Sequence, residues 1–261
     1  SLVLHSPIPW CKKSGVWPAG EEWLFEAMLE TYLPLLEVFR GWERDGVPGC
    51  VTLGVVPVLA EQLRDPYMNE GFVRYCRDKI RRSRAEQEST RDAQRGEVAA
   101  YWEARFSQML ALYREIGGDI IGEPARLDRG RQLELITSAA THGFLPLLER
   151  DSAINAQIGV GVESFARLFG RNPRGFWLPE CAYRPAERWG GAQRESIDTW
   201  LAKYGLTHFF VENHGILESI LEPPDDADGA PAAPQTVAAG YRLASGVCVF
   251  GRDQRIAKQV W

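Results

Sequence analysis

Five short apolar runs alternate with helical stretches along the chain, and that order restricts the fold more than any other feature of the sequence. The runs are Leu2-Val-Leu-His5, Val51 to Val56, Gln132 to Thr137, Gly175 to Leu178 and Thr207 to Val211. Prolines close three of them (Pro7 and Pro9, Pro57, and Pro179), as expected of a residue without an N–H for the sheet ladder. Between them, Glu21 to Arg40 places Leu24, Met28, Leu29, Leu33 and Leu36 at helical spacing with acidic residues in the first turn. Ile154 to Phe169 and Ile197 to Tyr204 repeat the helical pattern, and Gly205 suits a helix C-terminus. Strand then helix, repeated, predicts an α/β fold built on parallel strands. The charged helical tract at about 71–117 is too long for a crossover and reads as an insertion.

The later part is less regular. Glu222 to Ala239 is rich in Pro, Asp, Ala and Gly and reads as a long loop. Tyr241 to Leu243 and Val247 to Phe250 form either a hairpin across Ala244-Ser-Gly246 or two successive strands. The 261 residues suit one domain, 1–261, with a full hydrophobic core. The apolar ending Gln259-Val-Trp261, with no terminal helix predicted, reads as a domain truncated at its C-terminal end.

Charge and cysteine content exclude several classes. A net charge of -5 argues against a general nucleic-acid surface. The basic run Lys79 to Arg84 lies in a charged helical pattern and reads as a solvated helix face. The five cysteines are scattered, with no C-x-x-C pair, so neither a disulfide framework nor a zinc ribbon is indicated, and a reducing, cytoplasmic setting is expected. No apolar run approaches the ~18 residues of a membrane span.

Chemistry in such folds sits at strand ends and in the loops after them. The strand-end residues are His5, His142 and Glu180, and the adjoining loops carry Trp10, Trp17, Trp177 and Tyr183. Aromatic faces stack on sugar rings, and a carboxylate attacks or protonates a glycosidic linkage, so this set suits a sugar-processing site. A structural role is the alternative for each: a buried carboxylate satisfied by histidine or backbone for Glu180, and packed histidines for His5 and His142.

The segments resemble those of glycoside hydrolase family 57, and within it the 1,4-α-glucan branching enzymes. Leu2-Val-Leu-His5-Ser-Pro-Ile-Pro9-Trp10 and Gly15-x-Trp17-Pro-x-Gly-Glu-Glu22 are similar to the first region and the stretch after it. Gln132-Leu-Glu-Leu-Ile-Thr137 with Thr141-His142-Gly143 resembles the second. Gly175-Phe-Trp-Leu-Pro-Glu180-Cys-Ala-Tyr183-Arg-Pro185 resembles the third, which carries the nucleophile, and is the most specific match. In the first region, Pro7 stands where the family usually has the second histidine of His-x-His, so that histidine's part in sugar binding is not carried over.

The resemblance implies an incomplete (β/α)7 barrel with a helical insertion and a retaining mechanism on an α-1,4-glucan such as amylose or glycogen. Glu180 would be the nucleophile, with His5, Trp10, Trp17, His142, Trp177, Tyr183 and Trp261 binding substrate, and no cofactor or metal. Transfer to a 6-hydroxyl would form α-1,6 branches. The family's acid/base aspartate falls beyond Trp261, so the chain alone is expected to be inactive; Asp253 matches a different segment. The alternatives are 4-α-glucan transfer or α-amylase hydrolysis within the family, a metal-dependent deacetylase or mannosidase-like hydrolase, and a non-catalytic glucan-binding protein.

Overall fold

A computed structural model describes residues 2–49, 51–217 and 236–260. Its strands are β1 (Leu2–Ser6), β2 (Val51–Val55), β3 (Leu133–Ser138), β4 (Gly175–Trp177), β5 (Glu187–Trp189), β6 (Ala192–Arg194), β7 (His208–Val211), β8 (Gly240–Arg242) and β9 (Cys248–Gly251). Seven join one sheet in the order β1-β2-β3-β4-β7-β9-β8, and β5 and β6 form a separate antiparallel pair. β3, β4, β7 and β9 run parallel to one another, as the β/α order predicted. β8 is antiparallel to β9, with Tyr241 opposite Val249, so the ambiguous pair of runs is a hairpin. The loop expected over 222–239 lies, as far as residue 235, outside the described residues.

The chain divides into two compact units, Ser1–Leu53 with Val58–Leu135, and Gly54–Pro57 with Ile136–Trp261. In the first, the helix expected from Glu21 to Arg40 is interrupted: helix Glu21–Ala27 passes into a π-turn, Met28–Tyr32, before helix Leu33–Arg44. The Leu33 N–H bonds the Met28 carbonyl five residues back, a wider turn that a 3.6-residue period does not register. The insertion is a pair of helices, Pro66–Ser89 and Ala93–Glu115. Asp65 caps the first by accepting from the Tyr67 and Met68 N–H groups, with Pro66 set in its first turn. Asp92 caps the second, accepting from Arg95. Phe25, Phe72, Tyr75 and Tyr113 form the aromatic centre of this unit, with ring centroids 4.8 Å apart for Phe72 and Tyr113. The basic run is solvated: Arg81 and Arg82 pair with Asp78, and Arg84 with Glu103.

In the second unit, strand alternation sorts the residues of β4, β7 and β9. Phe176, Phe209 and Val249 lie side by side in register and are buried against Ile154, Ile158, Ile197 and Leu201 of helices Asp151–Phe169 and Ile197–Lys203. Burying each phenylalanine contributes roughly 1.5–3 kcal/mol. On the other face the rings of Trp177, Phe210 and Phe250 form a row, with centroids 5.9 and 6.0 Å apart.

Gly161 lets helix Asp151–Phe169 touch the end of β3. A Cβ there would lie 2.3 Å from the Ser138 carbonyl oxygen, and Thr137 Oγ1 donates to the Gly161 carbonyl at 3.1 Å. The obstructing atom is backbone, so it has little freedom to move aside. Gly161→Ala is therefore expected to destabilise by about 1–3 kcal/mol through overpacking. A urea midpoint unchanged from the parent would contradict this contact.

Candidate active site

β3 and β4 are parallel neighbours, with Thr137 opposite Phe176 and Ser138 opposite Trp177, so the loops that follow them leave the sheet at the same end. His142 lies four residues beyond β3, and Glu180 three residues beyond β4. The β3 loop is tied to helix Asp151–Phe169 by Gln157. Its Oε1 accepts from the Thr141 N–H at 3.1 Å, its Nε2 donates to Thr141 Oγ1 at 2.9 Å, and its carbonyl accepts from Ala140. The β4 loop turns at once: Cys181 N–H bonds Leu178 O at 2.8 Å, and Ala182 N–H bonds Pro179 O at 3.2 Å.

Both candidate residues are held in left-handed backbone, His142 at φ 56° and Glu180 at φ 57°, as is Cys181 beside Glu180 at φ 52°. Each such non-glycine residue costs about 1–3 kcal/mol and persists only where its surroundings enforce it, a pattern concentrated at functional sites. Glu180 is exposed between buried Pro179 and Cys181. Its carboxylate is thus presented to solvent rather than satisfied in a core.

Burial lowers the pKa of the His142 imidazole, and the Glu180 carboxylate acts in the opposite direction. The two residues therefore share one electrostatic neighbourhood. Because the folded state holds fewer protons at His142 than the unfolded chain, stability declines as pH falls below the ordinary histidine value of 6.5. His142→Gln should show a shallower decline than the parent when urea unfolding is followed from pH 7.5 downward. Identical slopes would contradict the lowered pKa of the partly buried ring.

Two groups that sequence reasoning passed over stand at the same end of the sheet. Glu212 follows β7 and Arg252 follows β9, and they pair at 2.9 Å. Both act on the Cys181 thiol, whose pKa is pushed up to about 12 chiefly by burial and further by Glu212 and Glu180, against Arg252. The thiol stays protonated and unreactive at neutral pH. Position immediately after a parallel strand was the available signal for both residues. Asp253 has another role: its Oδ1 accepts from the Arg255 N–H at 2.8 Å and begins helix Gln254–Val260, which the sequence reading did not anticipate.

Among the aromatic candidates of this unit, Trp177 is half-buried and its carbonyl accepts from Ser138 Oγ at 2.8 Å. The Tyr183 ring stacks on Phe209 with centroids 5.6 Å apart. Its hydroxyl donates to Asp198 at 2.8 Å, and burial together with this bond raises its pKa strongly. After Tyr183 the chain is anchored by buried Arg184 and Arg194, each 6% exposed, around Asp151. In the other unit, His5 is partly buried within β1, while Trp10 and Trp17 stand 53% and 71% exposed. The Trp17 loop closes where Gly15 O accepts from Glu21 N–H, and Gly20 packs so near that a Cβ would lie 2.2 Å from that oxygen. Trp261 lies outside the described residues. Among the described residues, no group of three His, Cys, Asp or Glu side chains is placed to hold a metal ion, and no helix is long and apolar enough to cross a membrane.

Residues 1–260 match the model of glycosyl hydrolase family 57. The chain belongs to that family. It is 42% identical, over 271 aligned positions, to a 1,4-α-glucan branching enzyme of Thermococcus kodakarensis, a match covering all of this chain and 39% of that protein. The crystal structure of a family 57 branching enzyme from Pyrococcus horikoshii superposes with a TM-score of 0.90 at 39% identity, covering all of this chain and 48% of that one. The α-amylase AmyC of Thermotoga maritima superposes at 0.81 with 28% identity, again over all of this chain and 46% of its own. The chain thus spans less than half the length of the relatives it matches. The α/β fold expected from the resemblance, with its helical region, is that of this family.

Proposed function

We propose that this family 57 chain carries the nucleophile of a retaining α-glucan-active enzyme, and that the reaction is 1,4-α-glucan branching. The observation that carries the reading is Glu180, an exposed carboxylate held in left-handed backbone just beyond β4, with its charge acting on His142 in the loop after the neighbouring β3. In this reading Glu180 attacks the anomeric carbon of an α-1,4-linked glucosyl unit. The C1–O bond to the leaving chain breaks, and a glycosyl ester forms on Glu180. The 6-hydroxyl of an acceptor glucan then takes the glycosyl unit and Glu180 is released as carboxylate.

The leaving oxygen needs a proton, and the acceptor must later give one up. Both tasks fall to a second carboxyl group about 5–5.5 Å from the nucleophile. That group is proposed to be the aspartate that the resemblance places beyond Trp261, and the 261 residues alone are proposed to be inactive. His142, whose imidazole is shifted toward its neutral form by burial, is suited to hydrogen-bond a sugar hydroxyl without placing a cation beside the nucleophile. Within the second unit Trp177 and Tyr183 are proposed to contact the glucan, and His5, Trp10 and Trp17 of the first unit, and Trp261, are each proposed as glucan contacts on the strength of the resemblance alone.

Identity to a branching enzyme at 42% favours transfer, and the likeness to AmyC supports hydrolysis as a second reading. Product analysis on amylose separates them. Branching yields new α-1,6 signals in proton NMR, and isoamylase then releases shorter chains, with little gain in reducing ends. A rise in reducing ends without α-1,6 linkages would replace branching by hydrolysis and leave the role of Glu180 intact.

A further inference from the structure

Gln62 is fully buried, 0% exposed, in helix Pro57–Leu63, and its side-chain amide uses every hydrogen-bonding position it has. Oε1 accepts from the Cys11 N–H at 2.6 Å and the Lys12 N–H at 3.2 Å. Nε2 donates to the Pro9 carbonyl at 2.9 Å and to the Val58 carbonyl at 3.2 Å. Two donors on one side and two carbonyls on the other leave only one orientation of the amide. Three of these four bonds grip the backbone on either side of Trp10, with Pro9 before it and Cys11 and Lys12 after it.

Neighbouring contacts extend the grip. Ile8 and Cys11 are buried, Lys12 Nζ pairs with Asp65 at 2.5 Å, and the Lys13 N–H donates to Glu21 at 2.9 Å. Tyr32, at the end of the π-turn, shares a 2.5 Å hydrogen bond with Ser6. The backbone of the segment is therefore fixed, while the Trp10 indole projects from it 53% exposed. An aromatic platform fixed before the ligand arrives avoids paying ordering entropy on binding.

We propose that Gln62 is a positioning residue for Trp10: it holds the backbone that presents the indole to an α-1,4-glucan. This rests on the reading of Trp10 as a glucan contact, and the test separates the two. In the full chain carrying Glu180→Gln to prevent turnover, the affinity for maltoheptaose is measured by calorimetry for Gln62→Leu, Trp10→Ala and the double variant, with thermal midpoints alongside. Gln62→Leu is expected to weaken binding about tenfold, whereas in the Trp10→Ala background it adds less than about twofold, because both act through one contact. An equal loss in both backgrounds, or no loss in either, overturns the positioning role. Unaltered binding by Trp10→Ala overturns the glucan-contact reading itself, and the proposal with it. Should Gln62→Leu fail to fold, Gln62→Glu keeps the acceptors for Cys11 and Lys12, loses both donors, and is expected to show the same non-additivity.

Discussion

In a protein that carries this chain together with the acid/base group, Glu180→Gln is expected to lower glucan transfer by roughly four orders of magnitude or more while leaving affinity for maltoheptaose within about threefold. The amide is nearly isosteric and keeps the loop's shape, so the backbone at φ 57° and the turn from Leu178 to Ala182 have no reason to change. What is lost is the anionic oxygen that forms the bond to C1. Initial rates on amylose check the first half, and calorimetry the second. Near-normal turnover by the variant would remove Glu180 from the chemistry. A collapse of binding with turnover would make it a substrate-orienting group instead.

The largest effect on stability is expected from Asp151→Ala. Asp151 begins helix Asp151–Phe169 and gathers three partners: Arg194 Nε at 3.2 Å, the Glu195 N–H at 3.0 Å and Arg184 at 3.5 Å. Arg184 also donates to the Glu195 carbonyl and Arg194 to the Leu148 carbonyl, so the cluster fastens the β5–β6 hairpin back onto the unit. Removing the carboxylate leaves two buried guanidiniums with Glu187, at 3.5 and 3.9 Å, as their one remaining carboxylate among the described residues. Breaking a buried pair costs about 3–5 kcal/mol, and the partial exposure of Asp151 reduces that to about 2–4 kcal/mol. Urea denaturation measures it. A loss below about 1 kcal/mol, typical of a surface pair, would contradict the picture of a buried cluster.

Parts of this architecture were legible in the sequence because they depend on short-range physics. Apolar runs ending at Pro7, Pro57 and Pro179 marked strand ends, and acidic residues at Glu21 and Glu22 marked a helix start. The π-turn at Met28–Tyr32 was hidden because one widened turn barely disturbs the apolar spacing. The hairpin of β5 and β6 was hidden for a different reason: each strand has three residues and little apolar alternation, and the cluster around Asp151 that fixes it joins positions more than thirty residues apart. Asp253 showed that an acid near a strand end need not be chemical, since its oxygen caps a helix. Glu180 and His142 were identifiable as strand-end residues. Their left-handed backbone, which Lys13, Arg131 and Cys181 share, leaves no mark in the residue pattern, because none of these positions is a glycine.

The same division bears on Gln62. Nothing in Pro57–Leu63 distinguishes this glutamine from a surface residue of a helix. Only the approach of residues 9–12, about fifty positions earlier, turns it into a buried, saturated amide.

The central claim is that Glu180 forms a covalent bond to the substrate, and trapping that bond tests it most directly. A protein that carries this chain together with the acid/base group is incubated with a 5-fluoro-α-glucosyl fluoride, which forms a glycosyl ester faster than the ester is resolved, then digested and read by mass spectrometry. The account predicts one added fluoroglucosyl mass on the peptide spanning 175–185, located at Glu180 and absent from Glu180→Gln. A stable label on another carboxylate of that protein would contradict it.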